Sequence, residues 1–520
     1  MKRSLMLTQG RLINISNRLP VSIKQTATGP RLERSSGGLS TALESAWRGQ
    51  EGIWIGWAGT PEGESAGELL ARASKRRSHN LQGVSLSNEE IDKFYAGFTN
   101  EIIWPLFHDM LTRCNFDPDY WDVYQRVNRK FAAAAQGSRV DDFIWVHDYH
   151  LMLVGHYLRQ SGNRSKSGFF LHIPFPSPDI FEYLPWRDSI LQSLLEFNVI
   201  GFQTDRNRDN FLSCVQRLLP NARIKPISPH TSVEFQGGES IVGTFPIGID
   251  FQEFAHRAAR PEVAARAEAV RREFQETILM LGVDRLDYTK GIPERLNAFR
   301  LLLRRFPELR RQITFVQVVV PSREDIPRYR ELRSDVELLV SQINGEFSER
   351  GWVPIHYMHR NLGRDELLAH YRAADIALIT PLKDGMNLVV KEFCAAQVDE
   401  RGVVIVSEFA GASPELRHGA LVVNPNDIAG VAQAIREASF MSREERSTRM
   451  RLLRNIVEQH DVHRWAQSFL DAAAMLATKS LGYTDANSQF VKPELGRQEV
   501  SGVTPIAAAR TRSRSKSASL

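Results

Sequence analysis

The chain has 520 residues, of which 42% are hydrophobic and 24% charged, with a formal net charge of +5. That is the make-up of a globular protein of two or three domains, long enough to bury a core without disulfide or metal staples. Three scattered cysteines (Cys114, Cys214, Cys394) form no CxxC pair, which suits a reducing compartment and argues against zinc. The start, "MKRSLMLTQG", is too short in apolar residues for a signal peptide, and no uncharged run reaches the roughly 20 residues of a bilayer span. A cytoplasmic protein with no membrane partner is expected. Arg510, Arg512, Arg514 and Lys516 crowd the end of the chain. Without them the body is near neutral, so charge gives no support to nucleic-acid binding.

The first strand is "RLINIS" (11–16). The loop after it, "SNRLP", brings Arg18, a planar cation suited to a phosphate. Gly37 and Gly38 then open a helical pattern, where free amides can meet an anion. An ordinary glycine turn beside a surface arginine explains these residues equally well. Strands "GIWIGW" (52–57), "DFIWVH" (142–147), "GFFLHI" (168–173) and "NVIGFQ" (198–203) follow, each alternating with a helical pattern. Asp148 and His172 stand at neighbouring strand ends. Both are expected to be open to hydrogen bonding by a polyhydroxylated ligand. A lone histidine is more often a satisfied structural residue, but two such clusters on adjacent strands favour a site. "DPD" (117–119) matches a metal-binding DxD literally. No apolar strand precedes it and Pro118 splits it, so no metal is expected there.

The alternation restarts near "FPIGID" (245–250). Strands are expected at "TILMLGV" (277–283), "ITFVQVVV" (313–320), "DIALIT" (375–380) and "GVVIVSE" (402–408). Several runs are apolar almost throughout, which indicates parallel sheets covered on both faces. The expected architecture is α/β, with two Rossmann-like doubly wound domains facing a central cleft: 1–250, 251–480, and a basic tail over 481–520. In "GVDRLDYTKGIPERL" (282–296), Arg285 and Lys290 precede a helix start at Gly291, a plausible diphosphate clamp. Solvated charges bridged to Asp284 or Asp287 are the plainer explanation. Arg323 repeats the pattern after the next strand. In "PLKDGMNLVVKE" (381–392), Asn387 reads as an N-cap that leaves the amides of Leu388, Val389 and Val390 open. Glu392 lies about 6 Å along the axis from Leu388, within reach of a ligand's vicinal hydroxyls.

Neither GxGxxG nor a P-loop occurs. Together "SNRLP…GGL", "WPLFH", "WVHDYHL", "FFLHIPFPSPDIF", "GFQT", "DRLDYTKG", "VPSRED", "INGEF" and "PLKDGMNLVVKE" resemble trehalose-6-phosphate synthase, a retaining glycosyltransferase of the GT-B fold. The match runs in order from about residue 11 to about 470. The resemblance implies transfer of glucose from a nucleotide-glucose donor, usually UDP-glucose, to glucose 6-phosphate. It implies that Arg18 and Arg323 hold the acceptor phosphate, with Tyr95 and Trp104 lining that subsite. Trp57 and Asp148 would contact the acceptor sugar. On the donor side, Gly38 approaches the diphosphate and His172 and Asp384 bind glucose hydroxyls. Arg285 and Lys290 neutralise the diphosphate, helped by the turn Gly385, Met386, Asn387, Leu388 and Val389. Glu392 takes the ribose.

Catalysis would then rest on Asp148, His172, Arg285, Lys290 and Asp384. It would proceed by front-face substitution without metal, cofactor or carboxylate nucleophile, unlike a retaining glycosidase. The family commonly forms homo-oligomers. UDP, ADP and GDP donors stay open, as do a glycerol 3-phosphate acceptor and a non-catalytic sugar-phosphate sensor.

Overall fold

The computed structural model describes residues 10–26, 29–34, 38–48, 51–60, 66–75, 77–274, 277–323 and 326–481. Gly37 and the tail beyond Leu481 lie outside these residues. In chain order the strands are β1 (Leu12–Arg18), β2 (Val21–Thr26), β3 (Gly29–Arg34), β4 (Gly52–Trp57), β5 (His79–Gly83), β6 (Phe143–His147), β7 (Lys166–Phe170), β8 (Val199–Phe202), β9 (Arg223–Ile227), β10 (His230–Phe235) and β11 (Gly238–Thr244). Then come β12 (Ile278–Arg285), β13 (Ile313–Val320), β14 (Ile355–Met358), β15 (Ile376–Ile379), β16 (Val403–Ser407) and β17 (Leu421–Val423).

Two main sheets form among the described residues. The first has nine strands in the order β5-β4-β1-β6-β7-β8-β11-β10-β9. All pairs are parallel except those of β10 with β9 and β11. The second is wholly parallel, in the order β14-β13-β12-β15-β16-β17. That is the 3-2-1-4-5-6 winding of a dinucleotide-type fold. Apolar runs become central strands because helices cover both faces: every residue of β13 but the last is buried.

Strand order reverses between β1 and β6 in one sheet and between β12 and β15 in the other. A crevice opens at the carboxyl ends of strands at such a switch point. Arg18 and Asp148 stand at the first reversal. The loops Leu286–Gly291 and Pro381–Asn387 stand at the second.

The antiparallel strands β9 to β11 were not expected. The outermost of them, "RIKPI", is charged and largely exposed and carries little apolar signal. The last helix, Val462–Leu481, returns to the first sheet. Phe469 stacks on Trp145 at 4.5 Å between ring centres, and Trp465 lies 5.0 Å from the same ring. Gly168 in β7 and Gly201 in β8 make room: a Cβ at either would sit 2.8 Å from the Phe469 ring. The two crossings between the sheets touch, since the Val462 amide donates to the Ile249 carbonyl at 3.0 Å.

Candidate active site

Five residues named from sequence meet where the two sheets face each other. β1 ends in Arg18, whose guanidinium lies over the Trp57 ring at 3.9 Å and the Tyr95 ring at 5.3 Å. Arg323, after β13, stacks on Trp104 at 4.3 Å. Its Nη1 donates to Asp287 at 3.1 Å and to the Tyr329 hydroxyl, and its Nη2 donates to the Tyr149 hydroxyl at 3.2 Å. A side chain held on three edges and one face keeps its fork in one orientation. Burial raises the Tyr95 hydroxyl, but Arg323, Arg18 and Arg285 outweigh it and bring it below its ordinary range. Positive potential converges there, as a phosphate site requires.

At the floor of the cleft, Asp148 holds φ 76° and ψ 165°, a conformation almost reserved for glycine. Its carboxylate accepts the His172 amide at 3.2 Å, which spans the ends of β6 and β7. Sequence pattern put Asp148 in the open and ran β7 to Ile173. Instead Asp148 is half-buried and β7 stops at Phe170, so His172 sits in the loop beyond. Burial pushes the Asp148 carboxyl up to about 7, against the amides of Tyr149 and His172 and the charges of Arg285 and Arg323. Burial likewise lowers His172 to about 3, so its ring is neutral.

The donor side is built on the second sheet. Lys290 and Asp384 pair at 2.6 Å. Burial raises Asp384, but Lys290, His108 and the Asn387 amide together bring it below the usual carboxylate range. Arg285 is exposed, with its guanidinium 5.8 Å from the Trp104 ring. Behind it the buried Arg295 donates to Asp284, to the Thr380 hydroxyl at 3.0 Å and to the Lys290 carbonyl at 3.3 Å. That network ties the Lys290 loop to the end of β15.

Asn387 caps the Leu388–Ala396 helix with φ 74°, as its sequence position suggested. One detail is corrected. The Val390 amide is taken by the Asn387 Oδ1 at 3.3 Å, so of the three amides thought open it is already paired. Gly38 begins its own helix facing this one, and a Cβ there would lie 3.5 Å from Leu388. Gly385 packs on the other sheet: a Cβ would fall 2.0 Å from the His172 carbonyl oxygen. Met386 is buried and its carbonyl accepts the Ala412 amide at 2.8 Å, anchoring the turn. Val389 is half-buried beside the capped end. Glu392 accepts from the Tyr371 hydroxyl at 3.0 Å, and burial pushes it up to about 7 despite that bond and Arg364.

Asp117 of "DPD" is a helix cap whose carboxylate accepts the Asp119 amide at 2.9 Å. Several residues were missed. Asp287 joins Arg323 to the Lys290 loop, since its other oxygen accepts the Thr289 amide and hydroxyl at 3.0 Å. Tyr149 and Tyr329 orient Arg323. Lys383 pairs with Asp109 across the cleft. Asp287 was in view only as a partner for a solvated cation; the rest carried no local signal.

Two Rossmann-like sheets with ligand-facing loops around one cleft define a glycosyltransferase of the GT-B class. The family model of glycosyltransferase family 20 matches residues 10–475, and the chain belongs to that family. It is 40% identical over 472 residues to the alpha,alpha-trehalose-phosphate synthase (UDP-forming) of Candida albicans, covering 89% of this chain and 97% of that protein. It is 42% identical over 471 residues to the trehalose-6-phosphate synthase of Mycolicibacterium smegmatis, covering 88% and 92%. Among solved structures, an alpha,alpha-trehalose-phosphate synthase (UDP-forming) from Burkholderia xenovorans in complex with glucose-6-phosphate superposes with TM-score 0.81 at 34% identity, covering 89% of this chain and all of that one. The E. coli protein bound with UDP-2-fluoro glucose gives TM-score 0.79 at 34% identity, covering 89% and 98%.

Proposed function

We propose that the protein transfers glucose from UDP-glucose to glucose 6-phosphate with retention, forming trehalose 6-phosphate and UDP. One observation carries this reading. Arg18 and Arg323, each laid on an aromatic ring, converge opposite the Lys290 loop and the capped helix at Leu388. One positive centre suits the acceptor phosphate and the other the donor diphosphate. The named activities of the relatives support it.

Arg18, Arg323, Tyr95 and Trp104 hold the phosphate of the acceptor, and Trp57 and Asp148 its sugar. Arg285, Lys290, Gly38 and the amides of Leu388 and Val389 hold the diphosphate, Asp384 and His172 the glucose, and Glu392 the ribose. The Lys290–Asp384 pair occupies both donor subsites, so donor binding exchanges it: the cation turns to phosphate and the carboxylate to hydroxyls.

The acceptor hydroxyl then attacks the anomeric carbon on the face the diphosphate leaves. The bond from carbon to phosphate oxygen breaks as the new glycosidic bond forms. The hydroxyl proton passes to the departing oxygen. No side chain is needed as nucleophile, and rate comes from orientation and charge stabilisation. We assign residues 1–250 to an acceptor-side domain and 251–480 to a donor-side domain, with the Val462–Leu481 helix packed back on the former. Among the described residues no helix is long and apolar enough to cross a membrane. All three cysteines are free, which supports a cytoplasmic enzyme. A homo-oligomer is expected from the family resemblance.

Purified protein supplied with UDP-glucose and glucose 6-phosphate should release UDP and form an α,α-linked disaccharide phosphate, read by proton NMR. Turnover with glycerol 3-phosphate alone would overturn the acceptor, and preference for ADP- or GDP-glucose would overturn the nucleotide.

A further inference from the structure

Gln203 follows β8 in "GFQT" and is fully buried. Its Oε1 accepts the Ile247 amide at 3.0 Å. A backbone amide can only donate, so the carboxamide orientation is set and Nε2 is the group 3.4 Å from His172 Nδ1. Nε2 can only donate, so His172 Nδ1 is the acceptor. A neutral imidazole with Nδ1 accepting carries its proton on Nε2. That atom lies 3.1 Å from Nδ1 of His147, which therefore accepts and holds its own proton on Nε2. The opposite tautomer would set two N–H groups against each other at Gln203.

Donation thus runs one way, from the Ile247 amide side through Gln203 and His172 to the buried His147. Two further contacts fix the backbone of His172. Its amide is held by Asp148, and Gly385 packs on its carbonyl. Trp465 closes the remaining side at 6.1 Å between rings. The titratable groups facing it are His147 and Asp148 at the end of β6, with Asp384 on the packed turn. Nothing in this shell calls for a second proton on His172, and burial opposes one.

The geometry points to Gln203 as a positioning residue that keeps His172 neutral and protonated on Nε2 beneath the donor sugar. This rests on the assignment of His172 to the donor glucose. It matters because the sugar turns cationic as the diphosphate leaves. A neutral ring whose N–H is given to His147 adds no positive charge beneath the sugar, whereas an imidazolium repels the forming cation.

The test replaces Gln203 by an isostere that takes a proton instead of giving one. In Q203E the carboxylate still accepts the Ile247 amide but demands a hydrogen on His172 Nδ1, and its negative charge favours supplying it as a second proton, which makes the ring an imidazolium. Ring nitrogen shifts of ¹⁵N-histidine protein, with the His172 signals assigned by H172F, should show a neutral Nε2–H ring in the parent from pH 5 to 8. Q203E should show an imidazolium. Its kcat should fall roughly 10- to 100-fold, the scale of two like charges a few ångströms apart, while KM for UDP-glucose changes less than about threefold. At saturating UDP-glucose, kcat should recover as pH rises through the new His172 pKa, a limb absent from the parent's kcat and separate from any rise in its donor kcat/KM. Q203M removes the bond without a charge, so it should cost less and add no limb.

A parent ring protonated on Nδ1 overturns the proposal, and that spectrum decides even if Q203E does not fold. Q203E with the parent's kcat and pH profile also overturns it. Failure of the synthase reading is distinguishable, because the ligand-free tautomer can be read in a protein that makes no trehalose 6-phosphate.

Discussion

Substituting Arg323 by lysine keeps the charge and removes the fork. The guanidinium touches Asp287, Tyr149 and Tyr329 along its edges and Trp104 on its face. An ammonium can keep Asp287 at most, and it gives the bound phosphate one point contact where the guanidinium gives two parallel ones. Each charge-assisted hydrogen bond is worth about 1.5–3 kcal/mol, and the lost stacking adds about 0.5–1. The acceptor phosphate should therefore bind about 3 kcal/mol less well in the transition state, about a 10²-fold fall in kcat/KM for glucose 6-phosphate. Unphosphorylated glucose meets the same site without using the fork, so its much lower kcat/KM should change by less than about fivefold. The assay is UDP release with each acceptor varied at saturating UDP-glucose. If both acceptors lose activity equally, Arg323 is a structural support and the phosphate assignment fails.

Removing Lys290 leaves Asp384 in a nearly closed site where, among the described residues, the Asn387 amide at 3.1 Å is the side-chain partner still paired to it. K290M should lower stability by about 3 kcal/mol, and adding D384N should return a good part of that. Urea unfolding of both single variants and the double measures the coupling; additivity within about 0.5 kcal/mol would remove the pair from the account. Gly385→Ala forces a methyl into the His172 carbonyl, so the turn must retreat from the first sheet. Donor kcat/KM should drop at least 100-fold with a smaller change in UDP affinity, since the helix amides stay, and near-normal activity would mean the close approach is dispensable. For pH, Glu392 with a raised pKa of about 7 is neutral below that value and an anion above it. The anion is the stronger acceptor for a ribose diol, so kcat/KM for donor should rise with pH to a plateau above 7. E392Q should flatten that limb, and a limb unchanged in E392Q would assign it elsewhere, Asp148 being the next candidate. The stability sign is opposite: a carboxyl raised on folding contributes most below its unfolded pKa, and that contribution is lost as pH climbs through 7.

The parts legible in sequence were those with a local cause. "ITFVQVVV" is β13 without a residue's error, because a strand covered on both faces is apolar at nearly every position, Thr314 and Gln317 being the exceptions. Asn387 was legible as a cap because capping is settled within four residues. Tyr149 and Tyr329 were not, since they meet Arg323 only when two sheets come together; Tyr149 is 174 residues away. The same holds for Lys383 with Asp109, which are 274 residues apart. β9 and β10 escaped because an edge ribbon needs little apolar character. The backbone of Asp148 escaped because nothing in its residue type announces a glycine-like φ.

The return of the last helix to the first sheet sets an order of events during synthesis. The faces of Trp145, Phe170 and the two glycine dents are finished by Trp465 and Phe469. At about 5–20 residues per second, the interval from β11 to that helix is roughly 10–40 s of translation. For that time the nascent first sheet carries an uncovered aromatic floor while the second sheet is still being made. The half of the enzyme that is built first is therefore completed last, and a chain released early leaves that surface for other proteins to meet.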